Sequence, residues 1–399
     1  MTRENTRVVE LLLFLIAWLG HACFVMAILN ILYAQPIHRD LLKRMRIFLG
    51  VVIFFTPPIL KSTLLINYSQ VLDQALSENR WGIGAIYIST CLIISGVILP
   101  AITIQRLLRK QPKKLLLETT TTYDLEKELG YRPIGDGKYS RLAKYRWNQL
   151  FKVDFTELTL CFPNLPKALD SLTILHISDL HWIGTPGKIY YEWIFTKAIS
   201  SFGEPDLVVI TGDLIDTDDH IAWLASLRPL LSWKSAGLAI LGNHDYWCDH
   251  EKLRKELVSQ GFINLGNSYQ LLQIRGETVA LIGQECPWFT PSADVSTIPD
   301  GVFRICLSHT PDNISFARKA KVDLMLSGHN HGGQIRLPLF GSIFVPSFYG
   351  RRFDMGTFQI GDMVLHVSRG LGEKEPLRFH CNPQITRICL KRAASSDEK

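Results

Sequence analysis

The sequence predicts an α/β domain carried behind a membrane-spanning helical head. Three observations predict it. Leu11–Tyr33 and Gly82–Ile104 are each 23 residues long and hold no Asp, Glu, Lys or Arg. From about residue 151, short apolar runs alternate with helix-patterned segments, the layout of an α/β fold. Five clusters rich in Asp, His, Asn and Gly each follow one of those runs.

The head comprises residues 1–104. Each 23-residue stretch is long enough to cross a bilayer core as a helix. The first is too long, and too poorly followed by small residues, for a cleaved signal peptide. Ile47–Ile66 is a third apolar stretch interrupted by Pro57-Pro58 and Lys61, so two to three spans are expected. Basic residues orient them. Arg39, Lys43, Arg44 and Arg46 lie between the first and second stretches; Arg106, Arg109, Lys110, Lys113 and Lys114 follow the third. Three spans with the N-terminus outside place both clusters, and everything after them, in the cytoplasm. For a bacterial chain this means a multi-pass protein of the inner membrane.

Residues 105–150 read as a basic juxtamembrane linker. Thr119–Thr122 and Gly135–Gly137 look like breakers, and Asp124–Leu129 like a short helix. Tyr139–Phe151 interleaves basic with aromatic and aliphatic residues. It suits a lipid interface and equally a connector docking aromatics on the domain.

The domain is expected over residues 151–393, with 394–399 a disordered tail. Phe155–Phe162 alternates as an edge strand would. Leu172–Ser178 is a buried strand followed by a helix at Lys188–Phe202. Asp206–Thr211 precedes a helix near Asp219–Leu231, and Leu238–Leu241 precedes one at Asp249–Gln260, where Glu251 and Lys255 pair and Gly261 stops the helix. Phe303–Ser308 leads to Thr310-Pro311, an N-cap with proline at N1, and Asp323–Ser327 follows.

The clusters are Asp179-Leu-His181, Gly212-Asp-Leu-Ile-Asp216, Gly242-Asn-His-Asp245, Ser308-His309 and Gly328-His-Asn-His-Gly332. Ligands bind outside the carboxyl ends of strands in open α/β sheets, so the five converge. Asp179, His181, Asp213, Asn243, His309, His329 and His331 give seven N or O donors and no thiolate. That set suits Mn, Fe or Zn rather than Ca. Seven is too many for one open catalytic ion and fits two that share a carboxylate.

In this order the motifs resemble the calcineurin-like metallophosphoesterase superfamily, from about Leu165 to Leu390. Leu165-Pro166, His309-Thr-Pro-Asp312, Gly328-His-Asn-His-Gly-Gly-Gln-Ile335 and Val367-Ser-Arg-Gly-Leu-Gly372 are similar to a bacterial, membrane-associated branch of it. The resemblance implies a four-layer α/β/β/α sandwich and two divalent ions. Asp179, His181, Asp213 and His331 would hold one, and Asp213, Asn243, His309 and His329 the other. It also implies that His244 faces the substrate and that Asp216 orients it. Asn330 stands where threonine is more usual. No arginine follows the Gly212–Asp216 motif, and Asp245 replaces a glutamate, which argues against protein-phosphatase activity.

The implied activity is hydrolysis of a phosphodiester, phosphomonoester or pyrophosphate. The membrane head favours a lipid-linked substrate, for example a UDP-diacylglucosamine-type lipid A precursor. Arg336 and Arg369 are candidates to bind its phosphate. A non-catalytic metal-binding scaffold for a membrane protein partner is the alternative; such a domain should have lost donors, and this chain keeps all seven. The modest net charge of +6 suggests no nucleic-acid partner. Eight scattered cysteines fit reduced thiols. The sequence leaves the oligomeric state open.

Overall fold

The computed structural model describes residues 3–63, 68–79 and 81–393; the tail expected at 394–399 lies outside them. The chain divides into two compact units, residues 1–110 and 111–399.

The first unit is helical. Three of its helices are long and apolar enough to cross a membrane: Arg7–Tyr33, Arg39–Ser62 and Ile83–Leu107. The middle one is continuous through Pro57-Pro58 and begins at Arg39, well before Ile47. The third contains a π-turn at Ile94–Ile98. Polar side chains stitch the helices together. His21 Nδ1 meets the Tyr87 hydroxyl at 2.7 Å and its Nε2 meets the Val52 carbonyl at 3.1 Å. Away from water such bonds have no solvent competitor. Large apolar side chains such as Leu11, Leu15, Phe54 and Ile86 point outward, as surfaces facing hydrocarbon do.

The second unit holds, in chain order, strands β1 (Leu115–Asp124), β2 (Lys152–Phe162), β3 (Thr173–Ile177), β4 (Leu207–Thr211), β5 (Ala236–Ile240), β6 (Phe262–Asn264), β7 (Tyr269–Ile274), β8 (Glu277–Gln284), β9 (Phe303–Ser308), β10 (Leu324–Ser327), β11 (Arg336–Leu337), β12 (Gly341–Ser342), β13 (Gly356–Ile360), β14 (Met363–Val367) and β15 (Gln384–Arg392). One sheet runs β1-β2-β15-β3-β4-β5-β6 and the other β13-β14-β10-β9-β8-β7.

Period-two burial builds the layers. Along β4, Leu207 and Val209 face the second sheet, with Leu281, Ile305 and Leu326 opposite. Val208 and Ile210 face outward onto Tyr191 and Phe195 of the helix Lys188–Phe202 and onto Leu253 and Leu257 of His250–Ser259. On the far side, Ile282, Cys306 and Met325 meet Ile314 and Ala317 of the helix Ile314–Lys319. The result is the helix–sheet–sheet–helix sandwich that the resemblance implies.

Three expectations differ from the structure. Residues 115–124, read as linker, are an edge strand paired antiparallel with β2 from Leu115↔Leu160 to Asp124↔Lys152. Its side chains are almost all exposed, so no apolar alternation marks it. Main-chain bonds hold it, with Thr120 Oγ1 on Thr156 Oγ1 at 3.1 Å and Thr122 donating to Asp154 at 2.6 Å. In consequence β2, read as an edge, is an interior strand between β1 and β15. The segment read as a helix near Asp219–Leu231 is a short α-turn flanked by 3₁₀ turns.

Candidate metal centre

Every expected donor sits at the carboxyl end of a strand. Asp179 and His181 follow β3, Asp213 follows β4, Asn243 follows β5, His309 follows β9, and His329 and His331 follow β10. The chain turns sharply there. Asp179, His181, Asp213, His329 and His331 all have left-handed backbone, with φ of 51°, 46°, 54°, 68° and 48°. That conformation is uncommon outside glycine, though Asp and His tolerate it better than most. Such residues persist where the surroundings fix them. Here Asp179 N–H donates to the Gly212 carbonyl at 3.0 Å, and His181 N–H to the Asp213 carbonyl at 2.9 Å. The His329 N–H donates to Asp179 Oδ1 at 2.9 Å. Gly328 has no alternative, because a Cβ there would enter the Asp179 carboxylate and the Ser178 hydroxyl.

Asp213 stands at the centre. Its Oδ2 is 3.4 Å from His181 Nε2 on one side and 3.4 Å from His309 Nε2 on the other. On the first side, Asp179, His181, Asp213 and His331 bring ligand atoms within 4.8 Å of one another, and the Nε2 atoms of His181 and His331 are 3.1 Å apart. On the second side, Asp213, His309 and His329 do the same, and Asn243 Oδ1 lies 3.0 Å from His309 Nε2.

The neighbours set the tautomers. His309 Nδ1–H donates to the Thr211 carbonyl at 2.8 Å, and His181 Nδ1 meets Asp216 Oδ2 at 3.0 Å. Both Nε2 atoms are thereby turned toward Asp213, the arrangement that orients histidine ligands. The Nε2 of His329 is buried with no hydrogen-bond partner. An unpaired buried imidazole nitrogen in a cluster with the Asp213 carboxylate suits a cation. Burial opposes charge on His181, but Asp216, Asp213 and Asp179 outweigh it and raise its pKa to about 9. Burial likewise opposes charge on His309, and Asp213 raises it to about 9. Metal binding would displace those protons.

A third group adjoins the first two. Asp216 lies between His181 and His244, with its Oδ1 on His244 Nδ1. Burial would raise the Asp216 pKa, but the two imidazoles hold it well below the carboxylate range. The His244 side chain is 17% exposed, against 1% for His181 and 0% for His309. With Nδ1 committed to Asp216, its Nε2 is the edge left for other work. The His244 N–H also donates to Asp213 Oδ1 at 2.8 Å.

The two arginines do not join the site. Arg336 is buried; its Nη1 pairs with Asp354 Oδ2 at 2.9 Å and also reaches the Gly332 carbonyl. Arg369 pairs with Asp154 Oδ2 at 2.8 Å and bonds Gln384. Each guanidinium has a carboxylate in place of a phosphate. Sequence patterns pick out cations, not their partners.

Other residues have roles that the sequence motifs did not assign. Asp245 accepts the N–H groups of Leu214, Ile215 and Gly242 at 2.9, 3.0 and 2.9 Å, tying two donor loops together. The Trp288 ring lies 5.5 Å from His309 and 4.9 Å from His329. Under His331 sits a fully buried ion pair, Glu373 with Arg378.

The fold and this cluster define a metallophosphoesterase. The calcineurin-like phosphoesterase family profile matches residues 172–333. YkuE, an uncharacterized metallophosphoesterase of Bacillus subtilis, is 33% identical over 62% of this chain and 88% of its own length. The phosphodiesterase YaeI of Escherichia coli is 30% identical over 54% of this chain and 81% of its own. A transmembrane protein with metallophosphoesterase domain from Danio rerio is 29% identical, covering 57% and 55%. The chain belongs to the calcineurin-like metallophosphoesterase family and is a metal-dependent phosphoester hydrolase.

Proposed function

We propose that the protein hydrolyses a phosphodiester or pyrophosphate carried by a membrane lipid, using two divalent ions. Asp179, His181, Asp213 and His331 would hold one ion; Asp213, Asn243, His309 and His329 would hold the other. Manganese, iron and zinc all match these donors. When bound, such a pair supplies electrophilic clamping of phosphoryl oxygens and an acidified water.

The chain's own residues supply the rest. His244 reaches the substrate, with Asp216 fixing its tautomer. It stabilises phosphoryl charge or protonates the departing oxygen. The observation that carries the reading is Asp213 Oδ2, equidistant from His181 and His309. His244→Ala should lower the hydrolysis rate about 10²–10⁴-fold while metal content, read by elemental analysis, stays unchanged. Loss of metal with the rate would move His244 out of this role.

The lipid link is supported by the membrane-length helices, which confine the enzyme to a bilayer. The basic clusters support three spans in the inner membrane with the catalytic unit in the cytoplasm. Lipid extracts from cells with wild-type protein and with Asp213→Asn test this. The variant should accumulate a phosphorylated lipid. Identical extracts, with a water-soluble diester still cleaved by the wild type, would leave the phosphoesterase and remove the lipid.

A further inference from the structure

Lys144, Tyr145, Arg146 and Trp147 are four consecutive exposed residues. The rings of Tyr145 and Trp147 stack at 5.6 Å, and each residue remains 49% exposed. Trp147 also meets Phe379 edge-on at 6.0 Å. The Phe379 main chain is bonded to the segment that leaves the metal centre. Its N–H donates to the Gln334 carbonyl, and its carbonyl accepts the Arg336 N–H, both at 3.0 Å.

Arg336 opens the hairpin β11–β12, so the aromatic segment and the hairpin form one continuous surface. The stem is anchored, because Asp354 holds both Arg336 and the Ser342 hydroxyl. The tip is apolar. Leu337, Leu339, Phe340 and Ile343 are exposed, and Leu339, at 74%, is the most exposed large aliphatic residue described in the second unit. Neither residues 138–151 nor residues 332–353 contain an Asp or Glu. The first of these segments carries Lys138, Arg141, Lys144 and Arg146, all exposed.

We propose that these two segments form a lipid-docking surface of the catalytic unit, and that its occupant is an anionic bilayer. Amphipathic aromatic rings beside basic side chains are the pattern of the membrane–water interface. Each basic residue gains from an anionic surface, and neither segment carries a carboxylate of its own. Leu339 and Phe340 would enter the acyl boundary, with Tyr145 and Trp147 at headgroup depth. The hairpin starts five residues after His331, so docking brings the metal centre to the headgroups. The surface rests on the membrane reading, not on the reaction.

Hydrogen exchange on the full-chain protein tests it, in nanodiscs of phosphatidylcholine alone or mixed with phosphatidylglycerol. Peptides over 138–151 and 336–349 should exchange about tenfold more slowly in the anionic discs, with the slowing reversed by salt. The Lys144→Glu/Arg146→Glu variant should lose the difference, as should Leu339→Asp/Phe340→Asp. Exchange over residues 172–178 reports folding, so whichever variant keeps that core carries the test. Equal exchange in the two discs overturns the proposal. Slowing that appears only on adding a soluble protein extract overturns it too, in favour of a protein partner. Cleavage of a water-soluble chromogenic diester by the same samples reads the phosphoesterase assignment separately.

Discussion

Asp213→Asn should reduce phosphoester hydrolysis about a thousandfold or more, the scale on which preorganised electrostatic groups act. The change is nearly isosteric and removes one negative charge from the oxygen that His181 and His309 both approach at 3.4 Å. An amide nitrogen or a neutral carbonyl oxygen cannot serve two cations as a shared carboxylate does. Metal content should fall on both sides of the site at once, because the residue belongs to both groups of donors. His329→Ala touches only the second side and should leave the first ion bound. Elemental analysis beside a chromogenic diester assay separates these patterns. Full metal content and rate in Asp213→Asn would refute the shared-carboxylate geometry.

Arg378→Met should be strongly destabilising, costing about 3–5 kcal/mol by the usual scale for breaking a buried ion pair. Arg378 and Glu373 are both fully buried. The guanidinium also donates to the His331 carbonyl at 3.2 Å and the Gly372 carbonyl at 3.0 Å. Methionine fills much of the space and leaves Glu373 without a cation and both carbonyls without that donor. Burial already pushes the Glu373 carboxyl up to about 8 against the pull of Arg378. Without the arginine, the folded state holds a proton that the unfolded chain releases above about pH 4. Wild-type Glu373 already holds its proton up to about pH 8 in the fold. A raised folded pKa means stability falls as pH rises, so both proteins lose stability alike between about pH 5 and 8. The variant's additional loss should open only as the pH rises above about 8. Urea unfolding of the detergent-solubilised chain on both sides of that pH measures it. Pairing Arg378→Met with Glu373→Leu should recover much of the loss. An unchanged midpoint in the single variant would show the pair to be idle.

What the sequence revealed depended on whether side chains or main chain did the work. The strands β3, β4, β5, β9 and β10 announce themselves as apolar runs because both faces are covered. Their carboxyl ends announce the site because Asp, His and Asn follow at once. β1 stayed hidden because its threonines point to solvent and its pairing is main-chain. The arginines misled because Arg336 and Arg369 lie near the motifs yet serve Asp354 and Asp154. Asp245 and Arg378 act across long sequence separations, through bonds to the Leu214 and Ile215 amides and to the His331 carbonyl, and no local pattern marks such partnerships.

The left-handed backbone at five of the donors carries a last consequence. Main-chain bonds such as that of the His181 N–H to the Asp213 carbonyl hold those turns in place, so the backbone limits where the side chains can point. The chelated protein should therefore keep the shape of its metal pocket, and one divalent ion could replace another without remodelling the loops. Which ion the enzyme uses would then follow from supply in the cell more than from any adjustment of the fold.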